Sequence, residues 1–359
     1  MNPSVLRQVL AVYRMELRKA FFARRGLWVY LLALLPVLLF AANSLYAPRE
    51  RARLAGIAAA HPTPPGALAA VSNGADRDAL VRQFGEPYDR RSDRRRIGPD
   101  RTMERDVFSY TDGQADFRFY FNNARLNRIE RTEPLGLPQL SLIFASVFQV
   151  YFLRLAVFFG CVGIFMNLIR GELLDKSLHF YLLAPIPREW MLAGKFLAGL
   201  TAAVVIFVGS TALQLAAMFW QFDHATVSAF LGAAGWSQQI SYLGVAAVAC
   251  VGYGSVFLLA GLLFPNPIVP ATGMLLWESV NLFVPATLKK LSLIFYLQSL
   301  CPVVPPPDAT LPPALVALIS PAEPVGAALA LSVVAGLTVV LLGIAARRAH
   351  RLEINYSSE

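Results

Sequence analysis

Residues 225–277 read ATVSAFLGAAGWSQQISYLGVAAVACVGYGSVFLLAGLLFPNPIVPATGMLLW and contain no Asp, Glu, Lys or Arg. A helix needs about 20 mostly apolar residues to cross the roughly 30 Å hydrocarbon core of a bilayer, so the stretch is too long for one span. The segment 264–270, FPNPIVP, contains three prolines, which interrupt helices because proline has no backbone N–H to donate. We therefore predict two spans, near 238–264 and 268–287, with a tight turn between them.

Four more apolar stretches have a length suited to spans, and the first follows Arg24 and Arg25. Only 15% of the chain is charged and 56% is hydrophobic, whereas soluble domains carry about 25% charged residues. Composition and span count together predict a mainly α, polytopic membrane protein with six transmembrane helices. The first stretch is too long for the apolar region of a signal peptide, so we expect it to be retained as a helix. The four stretches are residues 27–46, 139–168, 196–220 and 324–346.

The N-terminal segment 1–25 has a helical pattern of its own. Residues 4–23 place apolar side chains at three- and four-residue spacing, with basic side chains between them. That pattern predicts an amphipathic helix lying in the membrane interface, before a first span within 26–46.

Residues 47–137 have the composition of a water-soluble domain, with 16 Arg and 13 Asp or Glu. A short helix is predicted from Asp76 to Phe84, and Asp112-Gly113 predicts a hairpin turn before the alternating strand that starts at Phe117. This order of elements resembles the small lipoprotein module of outer-membrane assembly factors, which implies a binding surface. We expect a small α+β extracytoplasmic domain that could engage a periplasmic partner.

Basic residues orient the spans, because short cytoplasmic loops carry an excess of Lys and Arg. With the N-terminus inside, the inner segments carry thirteen Lys or Arg, whereas the short outer loops carry Lys289 and Lys290. Both termini, including the tail 349–359, are therefore predicted to be cytoplasmic in a bacterial inner membrane. The net charge of +9 is explained by this arrangement, so nucleic acid is not an expected partner.

The tract 170–195 lies within the region 138–348 that holds spans two to six, and it carries a recognisable motif. An acidic residue is followed by a Ser-Leu pair, a Leu-Leu-x-x-Pro sequence, an Arg and a Gly-Lys pair. The tract resembles the loop between spans two and three of ABC-2 type transporter permeases, the membrane subunits of ABC exporters. The residues that match include Glu172, Ser177, Leu178, Leu182, Pro185 and Arg188.

The resemblance implies that this tract forms a short cytoplasmic coupling helix that seats in a groove of an ABC ATPase subunit. The chain has no G-x-x-x-x-G-K-[ST] signature, so ATP and magnesium are expected in that separate subunit. We expect no catalytic residue and no cofactor in the chain itself. The family also implies a second permease copy, in a homodimer or a heterodimer. The alternative for the tract is an interfacial helix that lies on membrane lipid.

Arg154 and Glu278 are the charged residues expected well inside the spans. Unpaired charges at this depth are costly, so each should face protein or a water-filled cavity. The pair could belong to a substrate pathway or gate, or it could be a structural ion pair or an Arg that reaches the interface. The four His residues are scattered along the chain, and no metal site is predicted.

The function that these features predict is a permease of an ATP-driven exporter that works as a dimer with separate ATPase subunits. The alternative is a membrane-anchored scaffold or receptor whose outer domain binds a periplasmic protein. A carrier coupled to protons or sodium has weaker support, because a single buried carboxylate, Glu278, would have to serve as the relay.

Overall fold

The computed structural model divides the chain into two compact units. Residues 1–41 and 140–359 form the helical unit, and residues 42–139 form the sheet unit. The structure describes residues 3–22, 26–64, 66–96, 102–168, 187–264, 266, 268–281, 283–304 and 323–350.

The described residues form eleven helices of four or more residues and four strands, labelled here in chain order. Some helices contain wide π-type turns, notably Phe148–Val157 in α4. The elements are α1 (Pro3–Phe22), α2 (Leu27–Ala60), α3 (Arg77–Phe84), β1 (Asp89–Arg96), β2 (Thr102–Thr111), β3 (Asp116–Asn122), β4 (Arg125–Thr132), α4 (Leu137–Met166), α5 (Arg188–Phe219), α6 (His224–Phe230), α7 (Trp236–Leu263), α8 (Ile268–Val280), α9 (Ala286–Lys289), α10 (Leu293–Ser299) and α11 (Ala327–His350).

Five helices of the described chain are long and apolar enough to cross a membrane, namely α2, α4, α5, α7 and α11. Each contains or overlaps a predicted span. Helix α2, the first of the five, extends beyond its predicted end at Tyr46 and continues to Ala60. The amphipathic helix predicted over 4–23 is present as α1.

Aromatic rings of α4 and α7 form the centre of the helical unit. Phe148 and Phe152 stack with their ring centroids 5.4 Å apart, and the Tyr242 ring meets Phe148 edge-on at 5.0 Å. Further along the same two helices, the Phe158 ring meets Phe257 edge-on at 5.0 Å. All these rings are fully buried, so they hold α4 and α7 together along most of their length.

The sheet unit places α3 on a four-stranded antiparallel sheet of order β1-β2-β3-β4. The Asp76 side chain accepts a hydrogen bond from Ala79 N (3.2 Å) and begins α3, and Gly85 ends the helix with φ 79°. The predicted helix and the predicted hairpin around Asp112-Gly113 are confirmed. Strand β1 was not predicted, because its sequence DRRSDRRR has no apolar alternation.

A buried cluster lies between α3 and one face of the sheet. Phe108 lies opposite Phe119 in the register, and Tyr110 lies opposite Phe117. Residues in register across antiparallel strands project from the same face, so these rings form one aromatic layer. The buried cluster also contains Leu68, Leu80, Phe121 and Leu126.

Candidate functional site: a polar cluster at a helix break

Helix α8 is shorter than the span predicted over 268–287. It ends at Val280 after 13 residues, which is about 20 Å and less than a bilayer core. A turn, the four-residue helix α9 and then α10 follow. The helix thus covers residues 268–280 of the predicted span, and the side chains near its end bind the start of α10.

Glu278 is the residue of α8 that makes this connection, and only 3% of it is exposed. Its carboxylate oxygens accept hydrogen bonds from Leu293 N (3.2 Å) and Ile294 N (3.1 Å). The Tyr253 hydroxyl of α7 donates a third bond at 3.3 Å. The first N–H groups of a helix have no partner within the helix, so the carboxylate satisfies donors that lipid could not.

Arg154 approaches the same place from α4. Its Nη1 donates a hydrogen bond to the main-chain carbonyl of Glu278 at 3.1 Å. Arg154 lies in the π-helical part of α4, and such wide turns often occur at functional sites. The structure thus brings the two predicted residues together, but the guanidinium meets the carbonyl oxygen rather than the carboxylate.

Asn281 and Ser292 complete the polar cluster on either side of α9. The Asn281 Nδ2 group donates to Ser292 Oγ at 2.5 Å, and both residues are buried. Ser292 also accepts from Phe295 N at 3.4 Å, so it begins α10 together with Glu278. These polar residues escaped the sequence analysis because neither one is charged.

The cluster lies midway along the long helix α7. A Cβ atom at Gly252 would come within 2.9 Å of the Leu293 side chain, so α10 packs closely on this point of α7. Gly252 is 11 residues from the end of α7 at Leu263, since 263 − 252 = 11, or about 16 Å along its axis. That distance is close to half the thickness of a bilayer core.

The predicted coupling residues are less completely described. Glu172, Ser177, Leu178, Leu182 and Pro185 lie outside the described residues. Arg188 begins α5, and its Nη1 donates to the main-chain carbonyl of Ala349, near the end of α11, at 3.3 Å. Arg188 thus links the first turn of α5 to the last turn of α11.

The sequence analysis missed a buried ion pair near the N-terminal end of α5. Lys195 Nζ lies 2.9 Å from Glu16 Oε1, and the two side chains are 1% and 2% exposed. Lys195 also donates to the main-chain carbonyl of Leu168, just beyond α4, at 3.1 Å. One available signal was Glu16 itself, because it is the only acidic residue before Glu50.

No protein-family model, curated protein or solved structure matches the chain.

Proposed function

We propose that this chain is a membrane permease whose substrate pathway passes the cluster of Arg154, Tyr253 and Glu278. The observation that carries the proposal is a pair of charged residues at a helix break, midway along a spanning helix. Irregular backbone at membrane depth is tolerated only inside protein or beside a water-filled cavity. Charged residues and half-length helices at this depth are features that transporters use to bind their cargo.

The proposed topology has six crossings. Helices α2, α4, α5, α7 and α11 are five of them, and α8 with α9 and α10 make the sixth as two half-length pieces. An inner N-terminus then gives an inner C-terminus, in agreement with the basic residues near both ends of the chain. In this arrangement the sheet unit lies outside the cytoplasm, between the first and second crossings.

The proposed energy source is ATP hydrolysis by a separate subunit, as the likeness of the tract 170–195 to ABC-2 type permeases implies. Leu178 and Leu182 stand four residues apart in the sequence, so the proposed coupling helix would carry both on one side. An exposed apolar patch of this kind needs a partner surface. A second permease copy would complete the pathway, and export from a bacterial inner membrane is the corresponding direction of transport.

The decisive experiment asks which proteins accompany the full chain in mild detergent. We expect an ABC ATPase to co-purify with the tagged protein, and replacing both Leu178 and Leu182 with Asp should abolish its recovery. A charge buried in an apolar contact without a partner costs several kcal/mol. Leu135→Asp is the matched control, because Leu135 belongs to the sheet unit and is partly exposed.

Equal recovery of the ATPase with the Leu178 and Leu182 variant would rule out the proposed coupling surface. Absence of any ATPase, together with a stable partner of the sheet unit, would favour the second candidate function, a membrane-anchored scaffold or receptor. The observation behind that second candidate is that the sheet unit has its own aromatic core.

The orientation has a direct test with introduced cysteines and a thiol reagent that cannot cross membranes. Cysteines at Ser92 and Ser237, which are both exposed in the structure, should react in intact cells. A cysteine at Ser177 should react only after the cells are opened. Reaction at Ser177 in intact cells would invert the proposed topology.

A further inference from the structure

The face of the sheet opposite α3 carries a group of arginines. Antiparallel register aligns Arg91, Val107, Tyr120 and Arg128 across the four strands. Residues in register share a face, so these four side chains form one row. The next row contains Asp93, Arg105, Asn122 and Arg125.

The four arginines of these rows, here called the arginine face, are Arg91, Arg105, Arg125 and Arg128. All are exposed, and Asp93 is the one acidic residue in the two rows. Asp89, in the row on the other side, lies 3.3 Å from Arg91. The two rows still carry a net charge of +3, since four Arg oppose one Asp, at the surface of a folded sheet.

The spacing of the arginine face suits several anionic groups at once. Strands lie about 4.8 Å apart and residues on one face are separated by about 7 Å along a strand. Arg91 and Arg128, on the two edge strands, are therefore roughly 14 Å apart across the sheet. A single phosphate cannot span such a rectangle, whereas an array of phosphate groups can meet it with bidentate contacts.

The part of α2 within the sheet unit, residues 42–60, contacts the sheet near its Gly113 turn. Ala58 lies against the turn at Gly113, where a Cβ would be 3.2 Å from the Ala58 side chain. Arg53, one and a half turns earlier in α2, lies close to the Tyr88 hydroxyl, which itself donates to Asp116 at 2.6 Å. The residues of α2 that approach the sheet therefore lie closer to the N-terminus of α2 as the strands run away from Gly113.

If α2 keeps this course beside the strands, the arginine face lies at the level of the last apolar residues of α2. The row of Arg91 and Arg128 is two rows beyond Asp116, about 14 Å along the strands. The same length of helix is about nine residues, which leads from Arg53 to the level of Ser44, Leu45 and Tyr46. These residues end the apolar run that crosses the bilayer.

We propose that the arginine face docks on the anionic phospholipid headgroups of the membrane that α2 crosses. Basic residues near an anionic surface are each worth about 1 kcal/mol, which is roughly a fivefold change in a docking equilibrium. The inference concerns the sheet unit and does not depend on export or on an ATPase. Docking would fix the orientation of the sheet unit above the bilayer.

The test uses the full chain in nanodiscs, with Cys301 replaced by Ser and Asn127 of β4 replaced by a dye-labelled Cys. Quenching of the dye by a headgroup-attached nitroxide lipid reports docking. We expect stronger quenching in discs containing phosphatidylglycerol than in purely zwitterionic discs, and loss of the difference in 1 M salt, where the Debye length is about 3 Å. Each substitution Arg105→Gln and Arg128→Gln should lower the docked-to-free ratio about fivefold.

Arg82→Gln is the matched control, because Arg82 is an exposed arginine of α3 on the other side of the sheet. It should leave the quenching unchanged. Equal quenching in both lipid compositions, or an equal effect of Arg82→Gln, would overturn the proposal. Binding of soluble inositol hexakisphosphate at the labelled strand in zwitterionic discs, without any quenching of the dye by the nitroxide lipid, would also overturn the proposal. That result would identify a soluble polyanion as the ligand.

Discussion

Lys195 and Glu16 form a buried ion pair that joins α1 to α5, with 2.9 Å between Nζ and Oε1. The two helices also meet at Gly194, where a Cβ would lie 3.1 Å from Val12. Because Lys195 donates to Leu168 as well, one ammonium group connects α1, α5 and the chain just beyond α4. The tract proposed to couple to an ATPase starts immediately after that point.

Breaking this ion pair should destabilise the helical unit strongly. Lys195→Met and Glu16→Gln each remove one half of a buried ion pair, and we expect each to cost about 3–5 kcal/mol. The double variant should lose less than the sum, and thermal unfolding in detergent measures that coupling. Lys19→Ala is the control, because Lys19 is half-exposed at 3.5 Å from Glu16, and it should cost at most about 1 kcal/mol. Additive losses would show that the pair does not interact.

The loss of thermal stability caused by a substitution at Glu278 should depend on how many hydrogen bonds the new side chain can accept. Glu278→Ala leaves the N–H groups of Leu293 and Ile294 without acceptors, at about 1–3 kcal/mol for each. Glu278→Gln keeps one side-chain acceptor oxygen, so it should lose less thermal stability in detergent; the main-chain bond to Arg154 remains in both variants. Tyr253→Phe removes one bond and should cost about 1 kcal/mol. Equal losses for the Ala and Gln variants would contradict the capping role.

Ala124 occupies a backbone conformation that favours glycine. The hairpin between β3 and β4 turns through Asn123 and Ala124, with φ of 48° and 65°. A left-handed conformation costs a residue with a side chain about 1–2 kcal/mol. Ala124→Gly should therefore stabilise the hairpin by about 1 kcal/mol, which hydrogen-exchange protection factors of β3 and β4 in the full chain would report as roughly a fivefold increase.

Asn123→Gly is the comparison for this turn, because Asn tolerates the left-handed region better than Ala does. Its gain should be smaller. A loss of protection in the Ala124→Gly variant would mean that the added freedom of the unfolded chain outweighs the relief of strain.

The sheet unit should lose stability in acid through Asp106. Burial alone would raise the pKa of its carboxyl, but Ser92 and Arg77 favour the ionised form and bring the pKa below its ordinary value. A lowered pKa in the folded state stabilises the fold at every pH above the unfolded-state value. That stabilisation disappears as the pH falls through the folded-state pKa.

Protection factors of the sheet amides measured between neutral pH and pH 2 test this dependence. Arg77 Nη1 lies 2.6 Å from Asp106 Oδ2, so Asp106→Asn should lower the protection at neutral pH. The variant should also flatten the acid-dependent loss. An unchanged acid profile in the variant would assign the loss to other carboxyl groups.

The sequence of the sheet unit specified its helix and its central hairpin, because their signals are local. Asp76 before a helical pattern, Gly85 after it, and the alternation that begins at Phe117 act within a few residues. Strand β1 was not predictable in this way. Its charged residues are held in a strand by hydrogen bonds to β2, which depend on pairing rather than on their own pattern.

The amino-acid sequence by itself determined roughly where five helices long and apolar enough to cross a membrane lie, although α2 continues from its predicted end at Tyr46 to Ala60. It also located the polar domain that follows the first of them. The length and apolar composition of these stretches are local signals, so these predictions need no tertiary contact. The tertiary structure decided that α8 stops at Val280 and that Glu278 binds the start of α10. It also decided that Lys195 reaches Glu16, across 179 residues of chain. Such contacts are decided by packing between distant segments, and the order of residues in either segment alone does not reveal them.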